Sequence, residues 1–156
     1  MAGKKPSSRG ARGGGKGDKD RGAPPSRLYR AREDYSWTGV KTERYKACDG
    51  TWADVIRRVI VGGARGERAK FHFRYLEIAP GGRTTLERHR HEHVVVCVRG
   101  RGMCLAGEKE HEMGNLDVLY VAPDAPHQLW NPFDEPFGFF CIVDARRDRP
   151  RPIRQS

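Results

Sequence analysis

The sequence predicts an all-β domain, a sandwich or barrel, and three observations carry that expectation. Beyond residue 51, short apolar runs recur at near-regular spacing with Gly, Pro, Asn and Asp between them, as strands joined by turns do. Residues 71–78, F-H-F-R-Y-L-E-I, alternate with the two-residue period of a strand. Three of the six histidines, His89, His91 and His93, fall within five residues and lead directly into V-V-V-C-V. A histidine ladder entering an apolar run is an unusual thing to build for packing alone.

The 156 residues suffice for one domain with a core and a tail. Residues 1–30 carry a net charge of +7 and the rest of the chain +3, of a total of +10, so the basic character belongs mostly to the N-terminus. Residues 1–25 are Gly- and Arg-rich, with Met1 their one apolar side chain larger than alanine. Such a segment buries too little surface to offset its ordering entropy and is expected to be disordered. It has no interleaved aromatic residues to stack on bases, so any nucleic-acid contact is expected to be weak, nonspecific and driven by charge.

Residues 26–50 form an edge or transition segment with three tyrosines and Trp37 among charges. The barrel is expected over 51–146. W-A-D-V-I-R-R-V-I-V, residues 52–61, is compatible with a strand or a short helix. After the run ending at Gly100 come R-G-M-C-L-A, a turn at Gly107 and Glu108, K-E-H-E-M, a turn at Gly114 and Asn115, then D-V-L-Y-V-A. Prolines 123 and 126 break the chain before H-Q-L-W-N, and F-G-F-F-C-I-V-D closes the series. Residues 147–156 are polar and Pro-bearing and are expected to fray.

Of four cysteines, Cys97 and Cys141 sit inside apolar runs, as free buried thiols do. The basic N-terminus lacks the apolar stretch of a secretory signal. No segment approaches the roughly 20 apolar residues that span a bilayer. A reducing cytoplasm and no membrane association are expected.

On an extended strand, Glu87, His89, His91 and His93 share one face. His127 opens H-Q-L-W-N after Ala125 and Pro126, on a segment that can lie beside the histidine strand in a barrel. Gly81-x5-Glu87-x-His89-x3-His93-x6-Gly100 and His127-x3-Asn131 together resemble the two motifs of the cupin superfamily, usually written G-x5-H-x-H-x3/4-E-x6-G and G-x5-P-x-G-x2-H-x3-N. The family's first His is replaced here by Glu87 and its Glu by His93. Leu116, Ala122 and Asp124 stand where the second motif has Gly, Pro and Gly. The resemblance covers roughly residues 70–144.

The resemblance implies a double-stranded β-helix, or jelly-roll barrel, holding one divalent metal through three imidazoles and one carboxylate, here Glu87, His89, His93 and His127. Fe, Mn, Ni, Zn and Cu all suit such donors. A second register pairs His89 with His91 and asks Glu92 to supply the acid. It spoils the six-residue gap to Gly100, leaving the choice between Glu87 and His91 as fourth ligand open. The resemblance further implies a homodimer and a metal-dependent enzyme acting on a small polar molecule. Oxygenase or oxidoreductase chemistry is favoured over isomerase or lyase chemistry because no general base separate from Glu87 stands out. The alternative is a non-catalytic module that senses or stores a small ligand or metal.

The remaining candidates carry weaker signals. Phe73, Tyr75, Leu129, Phe139 and Cys141 fit either a pocket wall or plain barrel filling. His72 and His111 lack partners and are expected at the surface. Asn131 fits a turn cap and Asp117 a strand entry. Arg74 and Arg83 are compatible with an anionic substrate without standing out among 30 basic residues.

Overall fold

The computed structural model describes residues 24, 26–45 and 53–153. The tail over 1–25 thus falls almost wholly outside the described residues, as do Cys48 and Trp52. Among the described residues there are eleven strands and no helix: β1 (Thr42–Arg44), β2 (Ala53–Val61), β3 (Phe71–Arg83), β4 (Glu87–Arg88), β5 (His93–Arg99), β6 (Gly102–Ala106), β7 (Lys109–Met113), β8 (Val118–Val121), β9 (His127–Trp130), β10 (Phe137–Asp144) and β11 (Arg151–Pro152). Among the described residues, therefore, no helix is long and apolar enough to cross a membrane.

Every pairing is antiparallel. One side runs β1-β2-β3-β10-β5-β8 and the other β11-β4-β9-β6-β7. The two meet where β3, after pairing with β2 and β10 over its first half, delivers Arg83 opposite Trp130 of β9. The result is a nearly closed jelly-roll barrel. The segment 52–61, ambiguous by period, is a strand from Ala53, with Asp54 in a positive-φ conformation at a bulge between Ala53 and Val55. That bulge places Val55 in the core.

Alternation sets which side chains turn inward. β3 sends Leu76 and Ile78 into the main core, β5 sends Val95 and Cys97, and β9 sends Leu129. Phe137, Phe139, Cys104, Met113 and Cys141 join them with Val55. Cys97, Cys104 and Cys141 are buried free thiols.

The opposite face of β3 is covered as well. Trp37 lies 5.3 Å from Tyr75 and 5.9 Å from Phe140, centroid to centroid, and Ile60 and Tyr75 are buried with it in a second cluster. Phe73 packs there too, so Phe73 and Tyr75 belong to this outer cluster and not to a pocket wall.

The second-motif turns keep their shape without glycine. Leu116 and Asp124 have φ of +69° and +59°, in the left-handed region that glycine adopts without steric cost. Gly100, also left-handed, is required for a second reason, since a β-carbon there would run into the Pro136 carbonyl.

Residues 147–156 were expected to fray; as far as Ile153 they are held. β11 pairs with β4, the Ile153 amide donates to the Leu86 carbonyl at 2.9 Å, and Asp148 accepts from the backbone amides of Arg90 and His91. Backbone pairing, which needs no apolar side chain, ties this strap across the barrel mouth.

Candidate metal centre

The histidine ladder is broken where the chemistry requires it. β4 ends at Arg88 and β5 begins at His93, with a bend at Arg90 and His91. This bend turns His89 and His93 toward one another instead of leaving them side by side on a strand. His127 arrives on β9, whose Cα partner on β4 is Glu87. One ring nitrogen from each of His89, His93 and His127 lies within 4.8 Å of the others. Their ring centroids are 4.6–5.1 Å apart.

Each ring is oriented by its Nδ1. His89 Nδ1 is 2.7 Å from the His91 carbonyl and His127 Nδ1 is 3.0 Å from the Ala125 carbonyl. A carbonyl only accepts, so both rings carry their proton on Nδ1 and turn the Nε2 lone pair inward. His93 Nδ1 rests 3.4 Å from Cys141 Sγ, and its Nε2 is buried with no hydrogen-bond partner.

Burial, then the neighbouring His127, lowers the pKa of His89 to about 4 and that of His93 to about 2. Three converging imidazoles, one of them with an orphaned buried nitrogen, match the donor set of a divalent cation.

Glu87 is buried and lines the same cavity, outside the trio of mutually close donors. His91 stacks behind His89 at 3.6 Å and an interplanar angle of 4°, and its Nδ1 meets Asp148 at 2.7 Å. The Arg90 amide, then the His91 ring, hold the Asp148 carboxyl well below the usual carboxylate range. Glu92 is exposed and accepts from the Tyr120 hydroxyl. The structure thus assembles the trio of the first register and none of the acid that the second register needs.

The cavity has a volume of about 370 Å³. Leu129, Phe139 and Cys141 form its wall, with Tyr45 and the strap residues 145 and 147–150 across it. Arg74 is buried inside, whereas Arg83 is exposed at the end of β3. His72, expected at the surface, also lines the cavity and accepts from Arg147 Nη1 at 3.1 Å.

Asn131 caps the turn after β9 through the Ile78 and Glu135 carbonyls and the Phe133 amide. Asp117 accepts from the Gly114 amide before β8, and His111 is exposed. Sequence reasoning missed Arg147 and Asp148. Their one signal was a lone acid in an arginine-rich tail, three residues before the chain pairs with β4.

A family model described as a cupin domain matches residues 74–143. The chain is 37% identical over 121 residues, 75% of its length and 74% of the relative's, to a 1-methylthio-D-xylulose 5-phosphate methylsulfurylase of Rhodospirillum rubrum. A solved cupin-2 domain from Rhodospirillum rubrum is 33% identical with a TM-score of 0.72, covering 85% of this chain and 86% of that one. A cupin 2 conserved barrel domain protein from Rhodopseudomonas palustris is 33% identical with a TM-score of 0.74, covering 80% and 85%.

Proposed function

The chain belongs to the cupin superfamily, and from that premise we propose that it is a metal-dependent enzyme acting on a small phosphorylated thioether sugar. The observation that carries this reading is the trio of converging, buried imidazoles with His93 Nε2 left without a partner. The substrate class follows the name of the relative that is 37% identical across three quarters of the chain. It replaces the dioxygen chemistry that the sequence favoured.

In this reading His89, His93 and His127 hold one divalent cation, and Glu87 on the neighbouring strand is the carboxylate of the set. A cation so held supplies Lewis-acid polarisation of a substrate oxygen near the carbon–sulfur bond. Cys141 and the Ala125 and His91 carbonyls keep the three rings aimed. Leu129 and Phe139 give the thioether an apolar wall, and the strap limits the access of water.

The test is incubation of metal-loaded protein with 1-methylthio-D-xylulose 5-phosphate and a thiol able to accept a sulfenyl group, followed by proton NMR of the methylthio signal. Loss of the bound methylthio group in wild type, and its retention with His127→Ala, is the expected result. Turnover undiminished in the variant would remove the metal-centred reading.

One observation favours a binding module instead. Besides Glu87, Asp148 is the only carboxylate among the described residues lining the cavity, and its oxygens are taken by the Arg90 and His91 amides and the His91 ring. Tight binding of the same compound without turnover would decide for that reading.

A further inference from the structure

The cavity contains a second chemical feature that the metal centre does not use. Arg74 projects inward from β3 and is 8% exposed; its Nη2 donates to Cys141 Sγ at 3.0 Å and its Nε is buried without a partner. Arg147 comes from the strap and donates through Nη1 to His72 Nδ1 at 3.1 Å and to the Asp144 carbonyl at 3.1 Å. Neither arginine has a carboxylate within ion-pair distance among the described residues, whereas Arg57 pairs with Glu43 and Arg99 with Glu77, each at 2.7 Å.

His72 accepts from a guanidinium and so is neutral on that side. Burial, then Arg147 and Arg74, pushes its pKa down. Arg74 is buried and Arg147 half-buried beside it, and two guanidinium groups so placed, without a carboxylate between them, are costly until an anion joins them. Both also line a neighbouring groove with His72, so the pair sits where the cavity opens.

The position relative to the trio is fixed by one atom: Cys141 Sγ touches His93 Nδ1 on one side and Arg74 Nη2 on the other. We propose that Arg74 and Arg147 form an anion subsite that takes the terminal phosphate of a sugar phosphate, with the ligand's oxygen-bearing carbons at the histidine trio. Guanidinium groups suit this task because their N–H donors match phosphate oxygens in pairs. This inference rests on the phosphorylated-substrate reading and assigns residues to it.

The experiment is titration calorimetry of the full-length metal-loaded protein with D-xylulose 5-phosphate and with D-xylulose, for wild type, Arg147→Gln and Arg74→Gln. Wild type binds the phosphorylated sugar at least about 10-fold more tightly, and each variant loses about 10-fold of that preference. Metal content and affinity for D-xylulose stay unchanged. Arg147→Gln removes a side chain from the strap only, so it decides the matter if Arg74→Gln does not fold. A phosphate preference that survives in Arg147→Gln and in any folded Arg74→Gln overturns the subsite and leaves the phosphorylated-substrate reading standing. Absence of the preference in wild type overturns both.

Discussion

Along β3 the inward positions read Ile78, Leu76, Arg74 and His72; along β5 they read Cys97, Val95 and His93. The same strands thus build two different ends of one barrel. At the closed end Phe137, Cys104 and Met113 fill the space between Ile78 and Cys97 with apolar volume. At the open end the same alternation delivers imidazoles and a guanidinium into a cavity, one nitrogen of each of His93 and Arg74 lacking a partner. Backbone geometry decides only which way a side chain points. The free energy of each end is decided by what stands there, and the open end gives up stability for ligand chemistry.

Truncating the closed end should have the largest effect. Phe137 is fully buried, and Phe137→Ala is expected to cost about 3–5 kcal/mol, read as a fall in the denaturation midpoint, with metal bound per folded chain unchanged. A variant that unfolds normally but loses its metal would mean that the two ends are coupled.

The open end should carry the pH dependence of the metal-free protein. His89 has a native pKa of about 4 against an ordinary 6.5, so below about pH 6.5 the unfolded chain binds a proton that the folded chain refuses. Stability therefore falls as pH drops from about 6.5 toward 4, His89 alone accounting for on the order of 2–3 kcal/mol and His93 adding to the same slope. Phe137→Ala should shift that curve without changing its shape, while His89→Gln should make it shallower and leave the part that His93 contributes. An unaltered slope with His89→Gln would show that the proton goes elsewhere.

His93→Met sharpens the contrast in the opposite direction. It removes the buried nitrogen that has no partner, a penalty of about 1–3 kcal/mol. The metal-free variant should gain about 1–2 kcal/mol in chemical denaturation while losing metal affinity. A metal-free variant less stable than wild type would contradict the idea that the unpartnered nitrogen costs stability.

The smallest effect is expected at the rim of the closed end. Leu116 holds φ at +69° with its side chain 70% exposed. Leu116→Gly should raise stability by up to about 1 kcal/mol, because the left-handed conformation costs leucine about that much.

The strands from residue 71 to 144 were legible because their alternation, turn residues and histidine spacing agreed. His127 could be placed with His89 and His93 from motif spacing, and the structure puts their ring nitrogens within 4.8 Å. Three things were hidden for physical reasons. Alternation shows that β3 has two faces but not that Trp37 and its neighbours cover the second, so Phe73 and Tyr75 looked like possible pocket residues. The strap is held by backbone amides and by Asp148, interactions that leave no hydrophobic signature. The bend at Arg90 and His91 is what turns His91 to Asp148, and a two-residue period cannot foresee it.

The central claim is that His89, His93 and His127 hold a cation. Its most direct test is elemental analysis of protein purified without added metal, wild type beside His127→Ala. The account predicts a single divalent ion per chain in wild type and its loss in the variant, with the far-UV circular dichroism of both unchanged. A folded wild type that stays empty after dialysis against Mn, Fe, Ni, Zn and Cu salts, or a variant that keeps the full complement, would contradict it.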